Sequence, residues 1–382
     1  MSTTAAQGFE AAGVAAGLKS SGNLDLALVG NRGPLANAAA VFTSNRSKAN
    51  PIIWSQQVIA DGTVSAIVLN SGGANCFTGP QGFQVTHATA EAVGTALGVS
   101  AGDVLVCSTG LIGDQLPLDK VLAGVEAASK DLGDHGEQAS LAIMTTDSKP
   151  KRSVKKGNGY TVGGMAKGAG MLAPGLATML VVITTDVVLS SAELDIALRK
   201  ATRVSFDRLD SDGCMSTNDQ VSLLASGASG VEPELDAFTA VLTEVCLDLA
   251  EQLQGDAEGA SHDIRIEVVG AVSEDDAVEV GRSVARSNLF KAAIFGNDPN
   301  WGRVLAAIGT TDAAFDPYNV DVSMNGVRVC HAGAPDRPRD EVDLTPRRVE
   351  LLIDLAVGGA SAMILTNDLT HDYVHENSAY AS

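Results

Sequence analysis

Between Ser148 and Thr185 the chain carries six basic residues, Lys149, Lys151, Arg152, Lys155, Lys156 and Lys167, and no acidic one. The whole chain has 26 Lys+Arg against 46 Asp+Glu, a formal net charge of −20, so this window reverses the prevailing sign. Residues 149–156 read as a solvated basic loop. Lys167 differs, because it stands among Gly, Ala and Met, and a cation in such surroundings needs a partner. A substrate carboxylate would be one. At physiological ionic strength, surface charges more than about 8 Å away are largely screened. The acidic total therefore speaks against a phosphate-rich partner such as nucleic acid, but not against a small carboxylate.

A second stretch, Gly62 to Ala90, contains no Lys, Arg, Asp or Glu, and its middle reads NSGGANCFTGPQGFQ. Gly and Asn tolerate tight turns and present backbone N–H groups. It reads equally well as an ordinary surface loop or as a ligand-facing one. Generic motifs fail. GGMAKGAGM lacks the residue order of a phosphate loop. GNGYTVGG has Val162 where a dinucleotide-binding loop needs its third Gly. DSDGCMSTND puts Arg208 at the first ligand position of a calcium loop, so a loop of Asx-type turns is expected instead. His371 and His375 have helical metal spacing but no third ligand, so no metal site is expected.

The elements that must position these residues alternate between strand and helix, which indicates an α/β or α+β class. Val64–Asn70, Val104–Ser108 and Met179–Asp186 read as buried strands, and Ile264–Gly270 as another. Ser190 and Glu193 have capping-box spacing, followed by Leu194, Ala197, Leu198, Ala201 and Val204 on one helical face. A further helix follows Pro233 with Phe238, Val241, Leu242, Val245, Leu249 and Leu253 inward, and stops at Gly255. Asn325-Gly326 suits the two left-handed positions of a type I′ hairpin. The 18 residues from Gly168 to Thr185 lack charge, but Gly168, Gly170, Pro174 and Gly175 break their first half, so a loop and strand are expected and no membrane span. The five cysteines form no C-x-x-C pair and read as reduced, mostly buried thiols. No signal segment is read at the N-terminus, and a cytoplasmic protein is expected.

The stretch GGMAKGAGMLAPGLATMLVVITTD (Gly163–Asp186) resembles the self-cleavage region of the ornithine acetyltransferase family, also called glutamate N-acetyltransferases. The likeness runs nearly end to end, through AVFTSNRSKANP, NSGGANCFTGPQGFQ, VCSTGLIGDQLP, AIMTTD, STNDQVSLLASG, GDAEGAS, FGNDPNWGRVLAAIG and DLTHDYVHENSAYAS. One departure is Met363–Asn367, where a Trp-Thr pair is expected; it touches no assigned site residue.

The resemblance implies a self-cleaving domain of stacked sheets flanked by helices (αββα) over residues 1–280, with a smaller C-terminal α/β domain over 281–382. It implies a precursor that cuts itself between Ala177 and Thr178, giving chains 1–177 and 178–382. Thr178 is then both nucleophile and, through its α-amine, general base. A free α-amine has a pKa of roughly 7.7–8.0, near operating pH. The Thr109 hydroxyl and Gly110 N–H would form the oxyanion hole. Thr145, Lys167, Thr178, Glu258, Asn377 and Ser382 would bind substrate, with Lys167 on an α-carboxylate and Glu258 either on the ornithine side-chain amine or in proton transfer.

The implied reaction is ping-pong transfer of acetyl from N2-acetylornithine to glutamate, giving ornithine and N-acetylglutamate in arginine biosynthesis. No metal or cofactor is implied, although acetyl-CoA is a possible co-substrate. An α2β2 assembly of two cut precursors is implied. Two other readings compete: an aminopeptidase or amidase of the same self-cleaving fold, in which water resolves the acyl-enzyme, and a non-enzymatic amino-acid-binding protein that stays uncut.

Overall fold

The computed structural model describes residues 2–173 and 179–379. They fall into two compact units, one of residues 2–169, 179–206 and 215–253, the other of residues 170–173, 207–214 and 254–379.

The first unit contains two sheets. One has the order β1 (Phe9–Val14), β2 (Leu26–Asn31), β4 (Ala66–Asn70), β5 (Val104–Ser108). The other has the order β3 (Asn37–Phe42), β9 (Gln220–Ala225), β8 (Leu180–Thr185), β7 (Thr161–Lys167), β6 (Lys151–Lys156). Between the sheets, Ile67, Leu69, Leu105 and Cys107 pack with Met165, Leu180, Val182 and Leu224. Continuous apolar runs such as VLVCS follow from burial on both faces. On the outer face of the first sheet, Val68 and Val106 meet Val85 and Val93 of α2 (Gly79–Leu97) and Val121 and Val125 of α3 (Leu118–Lys130). On the outer face of the second, α5 (Ser191–Val204) packs on β3. There α6 (Leu235–Gln254) sets Val245 and Leu249 over Gly164. Two further helices, α1 (Asn50–Val58) and α4 (Gly136–Ala142), pack on β5 and on β1, respectively. The layers are those of the expected αββα class.

The predicted local signals have direct structural counterparts. Ser190 Oγ accepts the Glu193 N–H at 3.3 Å, and the Ser190 N–H donates to Glu193 Oε2 at 2.8 Å. Leu194, Ala197, Leu198 and Ala201 are buried, whereas Val204, in the last turn, is exposed. The expected solvated loop over residues 149–156 is instead largely strand β6, paired with β7. Lys151 begins it and is fully buried. Its ammonium is kept inside by Asp147, which lies just before the acid-free window.

The second unit is built on a sheet of order β13 (Ala334–Pro335), β12 (Val327–His331), β11 (Asp321–Met324), β14 (Arg348–Asp354), β10 (Asp263–Ala271), β15 (Ala360–Asn367). Helices α7 (Glu274–Ala285), α8 (Asn288–Phe295) and α9 (Trp301–Ile308) supply Val280, Val284, Phe290 and Ile308 to a core with Ile266, Val268, Ile353 and Ile364. Asn325 and Gly326 have φ of 45° and 80°, as the hairpin requires. The last described helix is α10 (His371–Ala379). The expected boundary at residue 280 falls inside α7. The second unit takes up the chain at Gln254, because β10 lies between β14 and β15 and cannot be parted from them. Met363–Asn367 forms part of β15. Cys76, Cys107, Cys246 and Cys330 are buried free thiols, and Cys214 is exposed. Among the described residues, no helix is long and apolar enough to cross a membrane.

Candidate active site

In the first unit, β5 ends at Ser108, and Thr109 and Gly110 follow it. The Thr109 N–H donates to the Asn70 carbonyl at 2.9 Å, and the Gly73 N–H donates to the Thr109 carbonyl at 2.9 Å. The NSGGAN loop is thus stitched to the strand end. Asn218 Nδ2 adds bonds to the Ala74 carbonyl at 2.6 Å and the Ser108 carbonyl at 2.8 Å. Gly110 has φ of 130°, and a Cβ there would lie 2.7 Å from the Gly73 nitrogen. A side chain at 110 would push the two loops apart, so their close approach requires glycine.

Lys167, the last residue of β7, is 2% exposed, and its Nζ donates to Thr109 Oγ1 at 3.2 Å. Serving as an acceptor there, the Thr109 hydroxyl keeps its own proton to give to another group. Lys167 is not the isolated cation that its sequence neighbours suggest: it acts electrostatically on two buried carboxyl groups, Asp147 and Asp219.

Asp147 ties the surrounding loops together. Its oxygens accept from Lys151 Nζ at 2.5 Å, the Gly168 N–H at 2.7 Å and the Thr145 N–H at 2.9 Å. Burial alone would raise the Asp147 carboxyl. Lys167, Lys151 and the Gly168 N–H outweigh it and bring the pKa down to about 2. Half-buried Thr145 is thereby fixed beside the lysine end of β7. Asp219 stands just before β9, and its Oδ1 accepts the Met179 N–H at 3.0 Å. Burial pushes the Asp219 carboxyl well above the usual carboxylate range, a shift only partly offset by that N–H, Ser216 and Lys167. In the sequence both residues are merely the polar ends of TTD and STND; nothing in their spacing marks them.

The second unit contains Glu258 and Asn377. Asn377 Nδ2, on α10, donates to Glu258 Oε2 at 3.0 Å. A Cβ on Gly170 would lie 2.4 Å from that same oxygen, so the GAG run leaves room for the carboxylate. The group is acidic. Burial first, then the Glu258 charge, raises the Glu376 carboxyl. Burial together with Asp212, Cys214 and Glu258 pushes the Tyr373 hydroxyl to about 12. Such surroundings suit a cation. The DSDGCMSTND segment forms the expected turns, with the Cys214 N–H on Asp212 Oδ1 at 3.0 Å.

Thr109, Gly110, Thr145 and Lys167 are therefore held in one network, and Glu258 and Asn377 in another. Ala177, Thr178 and Ser382 lie outside the described residues. Leu180, the first residue of β8, pairs with Lys167 on one side and with Gln220 on the other.

Residues 10–382 match the ArgJ family. The chain belongs to it. The arginine biosynthesis bifunctional protein ArgJ of Streptomyces coelicolor is 64% identical over 383 residues, covering 100% of both chains. That of Thermobifida fusca is 60% identical over 383 residues, again covering 100% of both. The structure of ornithine acetyltransferase from Mycobacterium tuberculosis, complexed with ornithine, is 51% identical, covering 47% of this chain and 96% of that one with a TM-score of 0.43. Membership in the ArgJ family makes the chain an acetyltransferase of arginine biosynthesis, from a family characterised by self-cleavage, as the blocks along its sequence indicated.

Proposed function

We propose that the protein moves an acetyl group from N2-acetylornithine to glutamate by a ping-pong route through acetyl-Thr178. The observation that carries this reading is the Lys167–Thr109 contact at the head of β8. It joins a cation suited to an α-carboxylate with a hydroxyl suited to an acyl oxyanion, and β8 begins just past Thr178.

The residues divide the work as follows. Thr178 first cuts the chain: its Oγ attacks the Ala177 carbonyl, the amide nitrogen leaves as an amine, and water resolves the ester. In turnover that amine takes the proton from Thr178 Oγ as Oγ attacks the acetyl carbonyl. Thr109 and the Gly110 N–H stabilise the oxyanion, a donor being worth about 3–4 kcal/mol of barrier. Ornithine leaves with the returned proton, and glutamate enters with its α-carboxylate on Lys167 and Thr145. Glu258, oriented by Asn377 in acidic surroundings, holds the side-chain ammonium of ornithine, and Ser382 completes the substrate contacts. Donor and product are both α-acetamides, so the exchange is near thermoneutral and needs no metal or resident cofactor. Acetyl-CoA is a second acetyl donor on the same threonine. Two cut precursors form an α2β2 assembly in the cytoplasm.

The test is incubation of purified protein with N2-acetylornithine, with and without glutamate. Glutamate-dependent formation of N-acetylglutamate is expected. Acetate release that glutamate leaves unchanged would assign the chain to hydrolysis instead.

A further inference from the structure

Asp25 stands just before β2 and is fully buried. Its Oδ1 accepts the Ala16 N–H at 2.6 Å, and its Oδ2 accepts the Leu18 and Lys19 N–H groups at 2.6 and 3.0 Å. One carboxylate thereby coils the run AGLKSSGNLD (residues 16–25) into a defined loop. The loop is seated on two segments that carry the site. The Asp25 carbonyl accepts the Ser71 N–H at 2.9 Å, and a Cβ on Gly72 would lie 2.3 Å from Leu18 Cβ. These belong to the same NSGGAN run whose Gly73 N–H holds the Thr109 carbonyl. Lys19 Nζ donates to the Leu24 carbonyl at 3.0 Å and to the Met144 carbonyl at 2.6 Å. Met144 immediately precedes Thr145.

Lys19 is a half-buried cation bonded to neutral groups. An ammonium has three protons to give, and two go to these carbonyls. The carboxylates that act on it from nearby are Asp25 and Asp147. Both are engaged elsewhere, Asp25 by its three N–H groups and Asp147 by Lys151, Gly168 and Thr145. Burial lowers the Lys19 pKa, and the two carboxylates only partly offset it. A clamp on two carbonyls needs N–H donors but no charge. A half-buried charge is favoured by an anion that brings its own oxygens. Thr145 thus has Lys19 on the carbonyl before it, and Lys167 acts on the carboxylate that holds its N–H. Glutamate carries two carboxylates, and ornithine shares only the α one.

We propose that Lys19 is a specificity-determining residue for the acetyl acceptor, its ammonium taking the side-chain carboxylate of glutamate while Lys167 and Thr145 take the α-carboxylate. The proposal rests on the reading above in which glutamate is the acceptor. Two lysines then answer two carboxylates. Ornithine, whose side chain ends in an ammonium, gains nothing from Lys19, so the residue separates the two half-reactions. Asp25 serves it indirectly, by fixing the loop from which the ammonium reaches Met144.

The test compares wild type with Lys19→Met, and glutamate with glutamine, which has the same shape but no side-chain charge. In wild type, KM for glutamine is expected to exceed that for glutamate by at least about tenfold, the scale of a charge-assisted bond. Lys19→Met is expected to raise KM for glutamate about 10- to 100-fold and to bring it within about threefold of KM for glutamine, with KM for N2-acetylornithine within about twofold of wild type. Wild type that accepts glutamine as readily as glutamate overturns the proposal. So does a Lys19→Met variant with the wild-type KM for glutamate, or one in which both substrates weaken equally, as loss of a merely structural clamp would produce. If Lys19→Met fails to fold, Lys19→Gln, which keeps N–H donors for the carbonyls, carries the same expectation. Failure of the underlying reading looks different: wild type forms no N-acetylglutamate from N2-acetylornithine and glutamate.

Discussion

Lys167 Nζ donates to Thr109 Oγ1 at 3.2 Å, joining the end of β7 to the loop after β5. The lysine thereby sets the direction of the threonine proton, because a hydroxyl that accepts on one side donates on another. Thr109→Val keeps the shape and removes the donor. It is expected to lower kcat about 100- to 1,000-fold and leave KM for N2-acetylornithine within about twofold. Steady-state kinetics on cut protein checks this; a wild-type kcat would remove Thr109 from the oxyanion site.

Glu258 and Asn377 are 3.0 Å apart and belong to an acidic group with Glu376 and Asp212. Glu258→Gln keeps the shape and takes away the charge. If Glu258 holds the ornithine ammonium, KM for N2-acetylornithine should rise by about 10- to 100-fold, the range of a lost charge-assisted bond. KM for glutamate should move by less than about twofold on the same scale. An equal fall in kcat with either substrate would place Glu258 in proton transfer instead.

The strands and helices that carry the site were legible because they obey short-range rules. VLVCS and MLVVITT are apolar without alternation, and Ser190 and Glu193 have the spacing of a cap. The site itself was legible only as far as whole sequence blocks resemble a family. Lys167 among small residues suggested a buried cation, yet its own carboxyl neighbours, Asp147 and Asp219, were hidden. They reach it through sheet pairing, with Leu180 between β7 and β9, and no local periodicity reports such pairing. Residues 149–156 failed for the same reason. Five charges in a short window look solvated unless a carboxylate outside the window, here Asp147, folds back on one of them. The boundary at residue 280 failed because parallel pairing of β10 with β14 joins segments roughly eighty residues apart.

Lys151 is fully buried against Asp147 at 2.5 Å. Breaking one partner of a buried pair leaves an uncompensated charge. Lys151→Met is therefore expected to destabilise the protein by about 3–5 kcal/mol, a loss that Lys167, which also acts on Asp147, reduces. Thermal melts read the loss directly. An unchanged melting temperature would show that Lys167 alone neutralises Asp147.

Asp147 also determines how acid acts on the fold. Its carboxyl has an ordinary value of 3.8 and is held at about 2 in the folded chain, because Lys167, Lys151 and the Gly168 N–H outweigh burial. The folded value is depressed, so the unfolded chain takes up the proton first as pH falls. The contribution is complete above about pH 4 and is lost progressively toward pH 2. At about 1.4 kcal/mol per unit it amounts to roughly 2 kcal/mol. Asp147→Asn should begin with lower stability at pH 7, since Lys151 and Lys167 lose their counter-charge. It should then lose less than wild type between pH 4 and pH 2, so that the two denaturation curves converge in acid. Urea unfolding at stepped pH measures both slopes; parallel curves through that window would show that Asp147 is not held in its charged form.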